Sequence, residues 1–147
     1  MTKFNTTRLI NCIKKEILSF ANEHQNETFY GFAIDANLLC LNSVEKFEEK
    51  LQNYQVKWGG FSTEDAIQDL KNNTGDWAYQ GFAQLSDADG FDMNSYNKHY
   101  HADDEEQKCS DYAKAMNEII NDLRQSNIFS SLKVTSDFFV CRVEHNY

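Results

Sequence analysis

The chain has 147 residues, of which 41% are apolar and 25% charged, and it carries a net charge of −9. That length suits a single domain, residues 1–147, burying about 70% of the surface its unfolded form exposes, and the composition excludes a chain disordered throughout. A negative field repels phosphate backbones and anionic lipid, so nucleic acid and membrane surfaces are not expected as partners.

Asn5, Thr6 and Thr7 supply N-cap oxygens, and Leu9, Ile10, Ile13, Ile17, Phe20 and Ala21 follow at three- and four-residue steps. This spacing predicts a first helix ending near residues 22–25. The run Phe29-Tyr30-Gly31-Phe32-Ala33-Ile34 and the run Leu38-Leu39-Cys40-Leu41, separated by Asp35-Ala36-Asn37, predict two strands joined by a tight turn as an antiparallel hairpin. Asn42 stands three residues before Glu45, the spacing of a capping box, and Val44, Phe47, Leu51 and Tyr54 mark one side of a second helix. Val56-Lys57-Trp58 reads as a short strand before the Gly59-Gly60 break. Ser62 with Asp65 starts a short third helix whose inward positions are Ala66, Ile67 and Leu70 and which ends at residues 72–75.

The stretch Asp76-Trp77-Ala78-Tyr79-Gln80-Gly81-Phe82 reads as a strand with Trp77 and Tyr79 on one face. Residues 86–102 are polar and irregular and are expected as a long loop, an element often functional or mobile. Asp103-Asp104-Glu105-Glu106 opens the longest helix, because acids favour the positive end of the helix dipole. Its buried stripe is Cys109, Tyr112, Ala113, Met116, Ile119, Ile120 and Leu123. A last strand, Phe138-Phe139-Val140-Cys141-Arg142-Val143, closes the domain. The sum is an α+β domain, with a mixed or antiparallel sheet of about four strands packed with about four helices.

The residues at the N-terminus mix Lys3, Arg8, Lys14 and Lys15 with polar side chains and do not read as a signal peptide. No apolar run approaches the roughly 20 residues that span a bilayer, so a cytoplasmic protein is expected. Cys12, Cys40, Cys109 and Cys141 form no CxxC pair and read as small buried hydrophobes rather than as a redox or zinc motif.

Catalytic chemistry is weakly represented. His99-Tyr100-His101 with Asp103 and Asp104 is the best metal candidate, but two-apart imidazoles in a loop need not converge and no further ligand follows at a metal spacing. Asp87-Ala88-Asp89-Gly90-Phe91-Asp92 resembles a calcium loop until Gly90 is placed at the sixth position. Leu85 and Tyr96 then fall where acids are required. Ser86 or Cys109 with His99 and an Asp lacks the GxSxG context of a nucleophile, and no phosphate-cradling glycine motif is present. No catalytic residue, metal or cofactor is therefore assigned. A small metal-dependent hydrolase built on His99 and His101, and a housekeeping interaction domain, are the alternatives.

Charge gives the stronger signal. Residues 1–60 carry seven basic and seven acidic side chains, and residues 112–147 carry four of each. Residues 61–111 hold three Lys against twelve acids, so the whole imbalance lies there. Such a surface attracts basic proteins, which makes Asp87, Asp89, Asp92, Asp103, Asp104, Glu105 and Glu106 candidate partner-binding residues. Trp77 and Tyr79, and also Trp58, are candidate aromatic anchors or core side chains.

The run from Phe29 to Asp35, followed by Leu38-Leu39-Cys40-Leu41-Asn42-Ser43 and an acidic helix, resembles the first half of the bacterial family of unknown function DUF4303. Asn73-Thr74-Gly75-Asp76-Trp77-Ala78-Tyr79 is similar to the tryptophan motif in the middle of such proteins. The resemblance covers about residues 5–82 and leaves the acidic stretch without a counterpart. Some members serve as immunity proteins beside secreted bacterial toxins. The resemblance thus implies an inhibitor of a cognate toxin domain rather than an enzyme, and the acidic stretch implies that the toxin face it meets is basic.

Overall fold

The computed structural model describes residues 3–143. Helix α1 (Thr6–Glu23) is capped by Asn5, whose side chain accepts from the Arg8 N–H, and it buries Leu9, Ile13, Ile17, Phe20 and Ala21. Strands β1 (Thr28–Asp35) and β2 (Leu38–Ser43) form the predicted antiparallel hairpin, with Ala33 opposite Cys40 and Asp35 opposite Leu38. The turn places Ala36 at φ +55°, and the Tyr112 hydroxyl holds its carbonyl at 2.9 Å.

Helix α2 (Val44–Trp58) starts from Ser43, whose hydroxyl accepts from the Lys46 N–H. The expected capping role of Asn42 is corrected: this side chain is 3% exposed and turns into the core, while Glu45 accepts from the Thr28 N–H. Residues 56–58 are also not a strand. They complete α2, which ends at Gly59 in the left-handed conformation that glycine adopts without penalty. Helix α3 (Glu64–Asn72) is capped by Thr63 rather than Ser62.

A 3-10 turn (Thr74–Asp76) leads into β3 (Tyr79–Gln84). Trp77 therefore precedes the strand, and the expectation that it shares a face with Tyr79 is overturned. The expected loop at residues 86–102 is instead a 3-10 turn (Asp87–Asp89) followed by helix α4 (Met93–Tyr100). The expected longest helix is two, α5 (Asp104–Lys108) and α6 (Asp111–Gln125). Ser110 interrupts them because its hydroxyl satisfies the Ala113 N–H as an N-cap, the local competition by which serine breaks a helix. Cys109 consequently lies exposed at the break, off the predicted buried stripe. Strand β4 (Lys133–Arg142) starts earlier than predicted.

The sheet order is β3-β2-β1-β4, with β4 parallel to β1 and the other pairs antiparallel. The fold is a mixed four-stranded α+β domain. One face carries Phe29, Phe32, Ile34, Leu39 and Leu41 against α1, α6 and the residues around α4. The other carries Tyr30, Ala33 and Cys40 against Phe47 of α2, Leu70 of α3 and Trp77. Burial on both faces explains why β1 lacks a polar alternation. Gly31 sits under the Phe139 ring, where a Cβ would meet ring carbon Cζ at 2.6 Å. At the β4 edge, Arg124 Nε and Nη2 donate to the Val140 carbonyl at 3.0 and 2.6 Å, which occupies a group that an edge strand otherwise leaves open.

Candidate interaction surface

The acidic stretch divides into carboxylates that build the fold and carboxylates that face solvent. Asp92 is 6% exposed and caps α4, accepting from the Ser95 hydroxyl at 2.6 Å and from its N–H. Asp89 accepts from the Ser86 N–H and hydroxyl at 2.9 and 3.0 Å, and Asp87 accepts from the Met93 N–H at 3.2 Å. The Ser86 backbone N–H, with its hydroxyl, holds the Asp89 carboxyl below the usual range. The Ser95 hydroxyl does the same for Asp92. These three acids hold the segment that the sequence pattern leaves as a loop.

Residues 103–106 are all exposed. Asp103 caps α5 by accepting from the Glu106 N–H at 2.8 Å. Glu105 pairs with Lys108 at 3.2 Å across two exposed side chains, a contact worth about 1 kcal/mol or less. Asp104, Glu105 and Glu106 thus project from a capped helical turn into water. Beside them lies a cleft of about 280 Å³ whose lining includes Ser95, Lys98, His99, Glu106 and Asp111.

His99 is 8% exposed, and its Nδ1 lies 2.6 Å from the Ser110 hydroxyl, between the Tyr96 and Tyr112 rings. His101 is exposed at the C-terminal cap of α4. Among the described residues, no group of three or more His, Cys, Asp or Glu side chains is placed to hold a metal ion. The cysteines of the described residues are all free thiols; Cys40 is buried and Cys12 and Cys141 are half-buried.

Trp77 and Tyr79 belong to opposite faces of the sheet. Trp77 is 4% exposed, its Nε1 donates to the Lys71 carbonyl at 2.9 Å, and its ring packs on Tyr30 and Phe139. Tyr79 is half-buried against Phe20 and donates to Glu27 at 2.6 Å. Glu27 also accepts from the Ser43 hydroxyl at 2.7 Å and meets His24 Nδ1 at 3.2 Å. Burial raises its carboxyl, but the hydrogen bonds from Tyr79, Ser43 and His24 outweigh this and leave it below the usual range. Burial and the neighbouring Glu27 raise the Tyr79 phenol.

Of the three candidate aromatic anchors, the one that faces solvent is Trp58, 61% exposed at the end of α2. Its place on the α2 stripe, seven residues after Leu51, is visible in the sequence once residues 56–58 are read as helix.

No helix among the described residues is long and apolar enough to cross a membrane. No curated protein and no solved structure matches the chain. The family model described as "Domain of unknown function (DUF4303)" matches residues 9–147, which extends the likeness through the acidic stretch to the C-terminus. The chain belongs to the DUF4303 family.

Proposed function

We propose that the protein is an immunity protein that neutralises a cognate antibacterial toxin by stoichiometric binding, without catalysis. The observation that carries the reading is the row of solvent-facing carboxylates Asp104, Glu105 and Glu106 on α5, set on a turn that Asp103 caps. A fixed negative surface of this kind accelerates encounter with a basic protein and selects against acidic ones. The partner is a toxin domain with a basic face; in a nuclease, that face is the groove that binds the nucleic-acid backbone, and the carboxylates occupy the place of phosphates. Membership of a family in which some proteins protect against neighbouring toxins supports the same assignment. The proposed place of action is the cytoplasm of the producing cell.

The test is co-expression with the toxin domain encoded beside the gene. Wild-type protein rescues growth, and the variant carrying Asp104→Lys, Glu105→Lys and Glu106→Lys does not. Asp103 is left intact because its loss removes a helix cap. Rescue that survives the triple reversal removes α5 from the mechanism, and failure of the wild type to rescue removes the immunity reading itself.

A further inference from the structure

We propose that the last turn of α2 and the loop that follows form a homodimer interface, filled by a second copy of this chain across a twofold axis. The apolar stripe of α2 runs past the core: Phe47 is 8% exposed, Leu51 and Tyr54 are half-buried, and Trp58 stands open. The loop after Trp58 is shaped at a cost. Phe61 takes φ +60°, a left-handed conformation that disfavours any residue with a side chain. The conformation is pinned by a hydrogen bond from Gln55 Nε2 to the Phe61 carbonyl at 2.8 Å. Tyr54 packs on Trp58 at 4.8 Å and on Phe61 at 5.4 Å, so the exposed indole stands on a fixed aromatic base. A Cβ on Gly59 or Gly60 would meet nothing within 4 Å, which leaves the backbone open to close approach.

The charges around this knob are self-complementary. Lys57 Nζ lies 5.1 Å from the Trp58 ring, and exposed Glu64 and Asp65 open α3 a few residues later. Among the described residues, none of these three has an ion-pair partner. A twofold contact requires one patch to offer both halves of every pair. Here Trp58, backed by Tyr54 and Phe61, supplies an apolar centre, while Lys57 of one protomer meets Glu64 and Asp65 of its partner at the rim. Helices α2 and α3 pack on one face of the sheet, and α4 and α6 belong to the other. Pairing through α2 therefore keeps the carboxylates of α5 away from the axis and free for another partner. The inference is independent of the toxin reading.

Sedimentation equilibrium of the full chain, up to about 500 µM in physiological salt, tests it. The wild type associates reversibly with a dissociation constant in the micromolar range, on the order of the affinity a small interface supports. Trp58→Ala weakens association at least about thirtyfold, the size of a hot-spot truncation. Lys57→Glu alone and the pair Glu64→Lys with Asp65→Lys each weaken it, and the three changes combined restore it. A wild type that stays monomeric overturns the proposal, as does a dimer indifferent to Trp58→Ala. Failure of the combined charge swap to restore association also overturns it, and this arm needs no change at Trp58.

Discussion

The Asn42 amide donates to the Tyr30 hydroxyl at 2.8 Å, and the same hydroxyl donates to the Lys71 carbonyl at 2.8 Å. Asn42 Oδ1 accepts from the Ala78 N–H at 3.1 Å, and Trp77 Nε1 reaches the same Lys71 carbonyl. The aromatic strand and the tryptophan segment, which carry the family resemblance, are thus two halves of one buried polar network that ties β3 and the end of α3 to the central hairpin. Burial pushes the Tyr30 phenol up to about 12, with the Asn42 hydrogen bond acting in the opposite direction, so the hydroxyl stays neutral and able to donate at physiological pH. Asn42→Ala leaves the Ala78 N–H without its partner, and its expected cost is about 2 kcal/mol. Tyr30→Phe leaves the buried Asn42 amide without its acceptor, and its expected cost is also about 2 kcal/mol, although Lys71 keeps its bond from Trp77. Urea unfolding followed by tryptophan fluorescence reads both, and a loss below about 0.5 kcal/mol for either would contradict the network.

Gly31→Ala forces a methyl group into the Phe139 ring. The expected loss is about 1 to 3 kcal/mol, the range for overpacking. Phe139→Leu in the same chain removes the clash, so the double variant loses less than the sum of the two single changes. Strict additivity in thermal unfolding would show that the glycine is present for another reason.

The acids of the central third separate by role when each is removed. Asp92→Ala deletes the α4 cap and lowers unfolding free energy by about 1 kcal/mol. Asp104→Ala touches an exposed side chain and changes it by less than about 0.5 kcal/mol. Chemical denaturation of the two variants reads the difference directly.

Glu27 sets part of the acid limb of stability. Its folded carboxyl titrates below the ordinary glutamate value of about 4.3. The unfolded chain therefore binds the proton first as pH falls, and the stabilisation is complete above that value and lost as pH drops through the folded one. Asp89 and Asp92 act in the same direction. Glu27→Gln flattens the decline of melting temperature as pH falls below the ordinary glutamate value. A variant whose decline parallels the wild type would remove Glu27 from the acid response.

Much of the scaffold is legible in the chain. The period of Leu9, Ile13, Ile17 and Phe20 marks α1, and the two aromatic and aliphatic runs around Asp35 mark the hairpin. What escapes a linear reading is polar and local. Asp89 and Asp92 look like surface charge, yet each carboxylate satisfies backbone groups and turns an apparent loop into helix. Ser110 breaks a continuous acidic and apolar pattern through a single hydroxyl. Trp77 and Tyr79 are two residues apart, which suggests a shared strand face, but the 3-10 turn before β3 sends them to opposite sides of the sheet. The parallel pairing of β4 with β1 joins segments about a hundred residues apart and has no local signature. The acidic surface was legible as a charge count. Its division into structural and open carboxylates required the fold.

The association rate of the toxin domain, measured by stopped flow at low and high salt, tests the role of α5 most directly. With the wild type, the rate falls steeply as salt rises, and reversing Asp104, Glu105 and Glu106 lowers the low-salt rate at least about tenfold while flattening that dependence. Identical rates and salt slopes for the two proteins would contradict the account.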